Sequence, residues 1–414
     1  MICRHCGTPL TVPVLDLGRA PPSNAYRDAA DLARPEPHLP LRLLACDACW
    51  LVQIADDLPS DALFAPDYAY FSSFSASWLA HAERFVAAAI ARFDLGPAST
   101  VCEIAANDGY LLQYVARAGI PCFGVEPTAS TAAAARARGI ETVEAFFGRD
   151  LARRLAAEGR SADLMVANNV LAHVPDIDDF VAGFAILLKP AGVASFEFPH
   201  LVRMVEEAQF DTAYHEHYSY LSLTAVAHVF AACGLAIFDV EELPTHGGSL
   251  RVFARRSDGL ARPASPAVAA LLAREAALGV TTPAFYSGFQ ARAETIRDAL
   301  RTFLETAKAK GETVAAYGAA AKGNTLLNFA GIGPDLLPFV VDRNPAKQGR
   351  FLPGSHIPVR DEAALWAARP DHVLILPWNL RDEIAGQLAG IAAWGGRFVV
   401  AVPELRVFAP PGGA

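Results

Sequence analysis

The chain has 414 residues, 53% of them hydrophobic and 19% charged, and its formal net charge at pH 7 is -9. This length exceeds one ordinary hydrophobic core, so we expect two or three domains. The acidic balance argues against binding along a nucleic-acid backbone, which depends on clustered Lys and Arg, but it allows a local basic pocket for a small anion.

The N-terminal residues and the hydropathy pattern predict a cytoplasmic protein. Met1 begins a segment without the basic and apolar regions of a secretory signal. No stretch approaches about 18 continuous apolar residues, so we predict no membrane partner. Cys102, Cys122 and Cys233 stand singly in apolar surroundings, a pattern that suits a reducing compartment better than a disulfide framework.

Two Cys-x-x-Cys pairs near the N-terminus predict a zinc site formed by Cys3, Cys6, Cys46 and Cys49. Each short spacing lets two thiolates approach one metal ion from a tight turn, and two such turns complete a tetrahedral site. Four thiolates close the coordination sphere to water and substrate, so the predicted role of the zinc is structural. The segment between the pairs is rich in Pro and is expected to be extended or looped.

The next part of the chain predicts a nucleoside-binding βαβ unit. An amphipathic helix at 78–93 precedes a strand at 100–104, a small-residue turn at 105–109, a helix from Tyr110 and a strand at 122–125. Small turn residues let a ligand approach the helix N-terminus, and an acid after the second strand, here Glu126, can accept hydrogen bonds from ribose hydroxyls.

The turn at 105–109 lacks the full G-x-G-x-x-G and, with Glu103 before it, more closely resembles motif I of S-adenosylmethionine-dependent methyltransferases. Ala105 stands where Gly is usual in that motif, and Ala is small enough to serve. The predicted cofactor-binding residues of this unit are Glu103, Ala105, Asn107, Gly109, Tyr110, Leu111, Glu126 and Pro127.

A further strand at 162–169 ends in polar residues, and His173 follows it. Ligands of open α/β sheets lie beyond the carboxyl ends of the strands. Asn168, Asn169 and His173 are therefore predicted to face the cofactor or the substrate. Residues 187–193 then resemble the helix-turn-strand step that precedes the fifth strand of this fold.

The run Tyr-His-Glu-His-Tyr at 214–218 places two imidazoles, one carboxylate and two phenols side by side. Such a density of proton-handling groups seldom serves packing alone, and histidine titrates near neutrality. We predict an active-site segment; the alternative is a polar aromatic loop between domains. The motif His-Gly-Gly-Ser at 246–249 forms either a tight turn into an antiparallel strand or a loop that faces the substrate with Ser249 and Arg251.

The last third of the chain predicts a second βαβ unit. A helical stretch at 283–310 precedes a strand at 313–317, a small-residue turn at 318–325 that opens a helix, and strands at 339–342 and 373–376. The turn departs from G-x-G-x-x-G and carries Lys322, which suits a phosphate at a helix N-terminus. Three interpretations stay open: contact with the nucleotide of the substrate, a purely structural domain, and binding of NAD(P).

The motifs together resemble the nucleotide-sugar C-methyltransferases, in particular the 3-C-methyltransferases of deoxysugars; they are the four cysteines, 103–109, 214–217, 246–251 and 318–324, in that order. The resemblance implies an α/β protein with a Rossmann-like S-adenosylmethionine-dependent methyltransferase domain, flanked by a small N-terminal four-cysteine zinc domain and a second Rossmann-like C-terminal domain. The implied substrate is a dTDP- or GDP-linked 4-keto-deoxysugar, and we expect a monomer or weak homo-oligomer with no nucleic-acid partner. The implied domains are 1–66, 67–258 and 259–414.

The resemblance also implies roles for individual residues. The proposed base of the family corresponds to His217, its supporting groups to Tyr214, Glu216 and His173, and a tyrosine on the substrate side to Tyr68. The residues expected to contact the substrate are Tyr70, His215, His246, Ser249, Arg251, Lys322 and Asn324.

The predicted reaction is C-methylation with S-adenosylmethionine as cofactor. A base removes the proton at C3, next to the 4-keto group, and the enolate attacks the methyl sulfonium in line. Tyr214 or His173 is expected to donate to the enolate oxygen. Rival predictions are an NAD(P)-dependent nucleotide-sugar oxidoreductase, a zinc-ribbon binding protein with a degenerate enzyme fold, and an O- or N-methyltransferase, which needs no C–H base.

Overall fold

The computed structural model describes residues 1–55 and 71–411, which contain three β-sheets of four, seven and six strands. The predicted α/β class is confirmed, because a Rossmann-like parallel sheet lies between an N-terminal cysteine cluster and a second, C-terminal sheet. Tyr68 and Tyr70, which were predicted to face the substrate, lie outside the described residues.

The first sheet joins the N-terminal module to the predicted active-site segment. Its antiparallel strands are β1 (Val12–Ala20), β2 (Leu39–Ala45) and β3 (Val52–Ile54). The Pro-rich segment between the cysteine pairs contains β1, β2 and the loop that joins them. A fourth strand, Ser219–Tyr220, pairs with β3 directly after the run at 214–218. Because this pairing holds the end of the run, the N-terminal module and the run form one structural unit.

The second sheet has a parallel centre. Its strands are β4 (Val101–Ile104), β5 (Cys122–Val125), β6 (Thr142–Val143), β7 (Ala162–Asn168), β8 (Leu188–Pro199) and, after Ser219–Tyr220 (β9), β10 (Leu235–Leu243) and β11 (Ser249–Arg256). The spatial order is β10-β11-β8-β7-β4-β5-β6, and β11 is antiparallel to both of its neighbours. The central strands are mostly apolar, as strands with both faces buried usually are, and Glu103 in β4 is a buried exception. Their carboxyl ends meet at one edge.

The helices of this part are α1 (Ala76–Phe93), α2 (Leu112–Arg117), α3 (Ala129–Ala137), α4 (Arg149–Ala157), α5 (Ile177–Leu187), α6 (Leu201–Glu206) and α7 (Leu223–Ala232). The predicted helix at 78–93 begins two residues earlier, because the Ser75 hydroxyl caps it by accepting from the Trp78 amide. The helix expected from Tyr110 begins at Leu112. Where a turn was expected within 187–193, α5 instead runs directly into β8.

The third sheet follows the predicted second βαβ unit. Its strands are β12 (Val314–Tyr317), β13 (Val340–Val341), β14 (Val359–Arg360), β15 (His372–Ile375), β16 (Arg397–Val400) and β17 (Arg406–Phe408). Their order is β14-β13-β12-β15-β16-β17, parallel except for β17. The helices are α8 (Pro266–Leu278), α9 (Pro283–Tyr286), α10 (Phe289–Lys310), α11 (Ala321–Phe329), α12 (Glu362–Ala368) and α13 (Arg381–Gln387). The predicted helical stretch at 283–310 is divided at Gly288, which precedes α10.

Helix α8 packs on the methyltransferase part of the chain, although the predicted boundary assigns it to the C-terminal domain. The buried Glu275 carboxylate faces His200 Nε2 at 2.8 Å and accepts from the amides of Leu223 and Thr224, also at 2.8 Å. The boundaries 1–66, 67–258 and 259–414 therefore stay predictions. No single helix in the described ranges is long and apolar enough to cross a membrane; α8 and the stretch from Pro283 to Lys310 meet that test only together, and they are bent by 78°.

Candidate active site

A cavity of about 370 Å³ lies at the carboxyl edge of the central sheet. Its lining comes from all three parts of the chain: Asn24 from the N-terminal module, polar residues after β4, β5 and β7, and Lys322 and Lys347 from the C-terminal part. The run at 214–218 contributes Tyr214 and His217. Residues far apart in the sequence thus share one cavity.

The turn after β4 and the acid after β5 form one wall of the cavity. The Glu126 carboxylate accepts hydrogen bonds from the Asn107 and Thr128 amides, each at 2.9 Å. Burial raises the pKa of Glu126, and these amides oppose that rise. Ala105 and Asn107 have φ values of 57° and 49°, so the turn is left-handed where glycine is favoured. For Ala105 this conformation costs about 1–2 kcal/mol, the physical reason why Gly is usual at that position.

Two asparagines after β7 present unsatisfied acceptors to the same wall. Asn168 Nδ2 lies 3.3 Å from the Tyr110 hydroxyl, and both asparagines line the cavity together with Tyr110 and Pro127. The Oδ1 atoms of Asn168 and Asn169 are buried and have no hydrogen-bond partner among the described residues. Buried acceptors are normally satisfied, so these two fit a ligand that carries ammonium or hydroxyl donors. The wall therefore suits S-adenosylmethionine.

Three residues predicted to bind the cofactor do not line the cavity. Glu103 and Leu111 are fully buried behind the wall, and burial raises the pKa of Glu103 well above its usual range. Gly109 has a φ of 78°, and a Cβ there would lie 3.2 Å from Ile140 Cγ1. All three support the turn from behind, because the strand and helix that flank it point them into the core.

Two histidines face each other across the cavity floor. His217 Nδ1 lies 3.0 Å from the Thr212 carbonyl, and His173 Nδ1 lies 2.9 Å from the Glu216 carbonyl. A carbonyl only accepts, so each neutral ring carries its proton on Nδ1 and a lone pair on Nε2. The two ring centroids are 4.6 Å apart, and the Tyr214 ring is 3.9 Å from that of His217.

Burial keeps both rings neutral. It lowers the pKa of His217 well below the usual range, and the neighbouring His173 lowers it further. Burial also lowers the pKa of His173 to about 4, against which the Glu216 carbonyl acts. At neutral pH both rings are therefore bases, and neither is a charged donor.

The other two polar residues of the run point away from the cavity. Glu216 accepts from the Asn24 amide at 3.3 Å and from Asn24 Nδ2 at 3.1 Å, and burial raises its pKa. His215 Nε2 lies 3.2 Å from the Pro40 carbonyl. Glu216 thus orients His173 through its carbonyl rather than its carboxylate. Asn24 was not predicted, since nothing in the Pro-rich segment singles it out.

The hairpin between β10 and β11 contains the motif at 246–249. It is a tight turn into an antiparallel strand, and His246 at its tip lines the cavity with a φ of 56°. Burial lowers the pKa of His246 to about 4. Ser249 donates to the Thr245 carbonyl at 2.9 Å, and Arg251 binds the buried Glu197 at 2.6 Å. Ser249 and Arg251 therefore brace the hairpin and do not reach the cavity.

The C-terminal part supplies two cations to the cavity wall. Lys322 Nζ donates to Asn379 Oδ1 at 2.7 Å, and Lys347 Nζ donates to the Ala319 carbonyl at 2.6 Å. Lys347 was not predicted. Asn324, predicted to contact the substrate, instead donates to the Ser23 carbonyl at 2.6 Å and joins two parts of the chain.

The acid after β13 repeats the arrangement of Glu126. Asp342 accepts from the Ala319 and Asn344 amides, each at 2.8 Å. Lys347 Nζ lies 3.8 Å from its carboxylate, and Asp342 does not line the cavity. In a dinucleotide-binding domain, the ribose hydroxyls would contact an acid at this position. Here Lys347 lies next to that acid.

The four N-terminal cysteines lie together. The Sγ atoms of Cys3 and Cys49 are 3.5 Å apart, those of Cys6 and Cys46 are 3.4 Å apart, and all four lie within 4.8 Å of one another. Tetrahedral zinc at about 2.3 Å from each sulfur separates the sulfurs by about 3.8 Å, so the cluster fits the ion. Gln53 Nε2 donates to Cys3 Sγ at 3.3 Å, as groups around zinc thiolates do.

Three family descriptions match the chain. They are "Putative zinc binding domain" over residues 3–64, "Methyltransferase domain" over 78–240 and "C-methyltransferase C-terminal domain" over 244–403. The C-methyltransferase NovU of Streptomyces niveus is 35% identical over 405 residues, which are 98% of this chain and 96% of that protein. A ubiquinone biosynthesis O-methyltransferase of Chelativorans sp. (strain BNC1) is 31% identical over 22% of this chain and 37% of its own.

Solved structures also match part of the chain at low identity. Magnesium protoporphyrin IX methyltransferase from Synechocystis PCC 6803 with bound SAH has 18% identity and a TM-score of 0.34, covering 43% of this chain and 83% of that one. The PH0226 protein from Pyrococcus horikoshii OT3 has 13% identity and a TM-score of 0.38, covering 48% of this chain and 100% of that one.

Proposed function

This chain belongs to the family of S-adenosylmethionine-dependent C-methyltransferases that includes NovU, and from this premise we propose that its substrate is a nucleotide-linked 4-keto-deoxysugar. One observation carries the proposal: a single cavity contains the cofactor wall, the neutral His217 and two lysines. A carbon nucleophile needs a base, a methyl donor and, for a nucleotide-linked substrate, cations for its phosphates.

The cofactor wall and the cysteine cluster have separate tasks. Asn107, Glu126, Asn168 and Asn169 would hold S-adenosylmethionine. The bound cofactor supplies a methyl group on a positively charged sulfur, which accepts a carbon electron pair as the sulfur leaves as a neutral thioether. Cys3, Cys6, Cys46 and Cys49 would hold zinc with four thiolates, which would leave no position for substrate and would stabilise the N-terminal module.

We assign His217 as the base. With its Nδ1 proton donated to the Thr212 carbonyl, its Nε2 lone pair is left to remove the C3 proton of the ketosugar. The electrons of the broken C–H bond become the enolate, with the negative charge on the 4-oxygen. Such proton transfer is typically worth about 10²–10⁴ in rate.

Tyr214 is our choice for the donor to the enolate oxygen. His173 was the alternative, but its proton on Nδ1 is given to the Glu216 carbonyl and its Nε2 accepts rather than donates. The Tyr214 hydroxyl is a hydrogen-bond donor, and its ring lies against His217. Lys322 and Lys347 would bind the phosphates of a dTDP- or GDP-linked sugar, with Tyr68, Tyr70 and His246 as further predicted contacts.

A panel of dTDP- and GDP-linked 4-ketosugars, incubated with enzyme and S-adenosylmethionine, tests the substrate. Mass spectrometry should find one methyl group added to carbon in at least one sugar. Without the methyl donor, enzyme in deuterium oxide should exchange the C3 hydrogen of that sugar. Methylation on oxygen or nitrogen, or turnover without exchange, would contradict the proposal, and a product formed only with NAD(P) would favour an oxidoreductase.

The fall of kcat/KM at acidic pH, the acidic limb of the profile, should reflect protonation of His217. The base must be neutral, and burial lowers its pKa, so kcat/KM should stay level from pH 7.5 down to about 6.5 and fall only below that. Because His173 lowers the pKa of its neighbour, His173→Gln should move the limb to higher pH. The profiles are measured at saturating cofactor. A wild-type limb that begins above pH 7 would count against the assignment.

A further inference from the structure

Trp378, in the short turn after β15, contacts Lys322, the His246 hairpin and the turn that precedes the run at 214–218. Its indole Nε1 donates to Asp211 Oδ2 at 2.8 Å. Lys322 Nζ lies over its ring, 4.6 Å from the centroid. Its edge also packs on Gly247 of the His246 hairpin, where a Cβ would lie 2.5 Å from Trp378 Cη2. One side chain thus connects the turn before the run, the hairpin and Lys322.

Asp211 is a buried acid that the assigned functions do not use. It is fully buried, and it directly precedes Thr212, whose carbonyl holds His217. Its Oδ2 accepts from Trp378, while Oδ1 has no hydrogen-bond partner in the part of the chain that the structure describes. Burial raises the pKa of Asp211 to about 6, and Lys322 opposes that rise, so the acid is charged above neutral pH. Burying a carboxylate is costly unless a cation offsets it.

Lys322 is a buried amine, and its charged form is also costly without an opposite charge nearby. It lines the cavity, its ammonium is held by Asn379 Oδ1, and none of the described carboxylates forms an ion pair with it. Burial lowers the pKa of Lys322, and Asp211 opposes that fall. His217 and His246 also interact with Lys322 electrostatically and burial keeps both neutral, and Lys347 lines the same cavity. Asp211 is therefore its counter-charge, and both groups contact the Trp378 indole.

We propose that Asp211 and Trp378 are positioning residues that keep the Lys322 ammonium charged and aimed at the anionic group of the substrate. The inference rests on the proposed function, in which Lys322 binds a phosphate. A neutral amine would lose most of its attraction for that phosphate. The pair also connects the phosphate end of the cavity to the base, since Asp211 and Thr212 belong to one turn.

The probes are inorganic pyrophosphate, dTDP and GDP, titrated calorimetrically into the full chain between pH 7 and 10. Asp211→Asn keeps an acceptor for the indole but removes the charge, and should move the alkaline loss of affinity to lower pH. One pH unit of displacement corresponds to about tenfold weaker binding above the midpoint. Trp378→Phe keeps the ring under Lys322 and removes the indole N–H, so it should displace the limb in the same direction.

The variant Lys322→Arg keeps a positive charge that does not titrate, and it tests whether the alkaline limb comes from the Lys322 ammonium. Arg does not titrate in this range, so the part of the limb that Lys322 contributes should vanish, and adding Asp211→Asn to Lys322→Arg should displace nothing further. If Lys322→Met leaves binding of all three probes unchanged, the phosphate role in the proposed function is wrong. If Lys322→Met weakens binding but neither Asp211→Asn nor Trp378→Phe displaces the limb, the phosphate role stands and the positioning role is overturned. Melting temperatures of all variants identify any that fail to fold, and the other variant then decides.

Discussion

Replacing His217 by Asn should lower kcat by about 10²–10⁴-fold, the range that a general base contributes. Asn keeps a donor for the Thr212 carbonyl but has no lone pair basic enough to remove a C–H proton. The cofactor wall is formed by other residues, after β4, β5 and β7, so affinity for S-adenosylmethionine should stay close to that of the wild type. Single-turnover methyl transfer and a calorimetric titration of the cofactor measure the two quantities.

His215→Asn is the matched control for this prediction. It makes the same chemical change two residues away, on a side chain that faces the Pro40 carbonyl rather than the cavity. We expect turnover close to normal for His215→Asn and loss of deuterium exchange into the ketosugar for His217→Asn. If the two variants exchanged behaviour, or if His217→Asn retained exchange, the base would lie elsewhere.

Removing zinc should unfold the N-terminal module and stop turnover. Structural zinc sites contribute about 10–16 kcal/mol of apparent binding free energy in small peptides, which is large beside ordinary domain stability. The module supplies β3, which pairs with the strand after the run, and Asn24, which holds Glu216. Loss of the metal should therefore disorder the catalytic run, although the cofactor wall belongs to a different sheet.

Metal content, chelator-induced release and cofactor binding test this effect together. We expect one zinc per chain, and we expect turnover to fall in step with its release while some affinity for S-adenosylmethionine persists. Cys46→Ser should lose the metal. Cys122→Ser is the control, because that half-buried cysteine lies outside the cluster and should retain both zinc and activity. Full turnover by the zinc-free protein would show that the module does not support the site.

Local patterns predicted the regular elements well. The strands predicted at 100–104 and 122–125 are observed at Val101–Ile104 and Cys122–Val125, because short apolar runs bounded by Gly, Pro and polar turns have few other folds. The break at Gly288 was missed, since the apolar periodicity continues across it and a single glycine does not always end a helix.

The sequence by itself determined which chemistry is available: four thiolates at metal-binding spacing, a turn and an acid suited to a nucleoside, and a dense run of proton-handling groups. These signals are local, because each depends on residues within a few positions of one another. The tertiary structure decided which of them meet. It brought Asn24, His173, Lys322 and Lys347 into the cavity with His217, contacts that only chain folding creates.

The tertiary structure also decided which way each side chain of the motifs points. In the run at 214–218, Tyr214 and His217 face the cavity, whereas Glu216 turns to Asn24 and His215 to the N-terminal sheet. Pairing of Ser219–Tyr220 with β3 holds that orientation, and a strand register cannot be read from one partner alone. The residue types of the site could thus be predicted from local sequence. Its geometry depended on strand pairing across about 165 residues of chain, from β3 to β9.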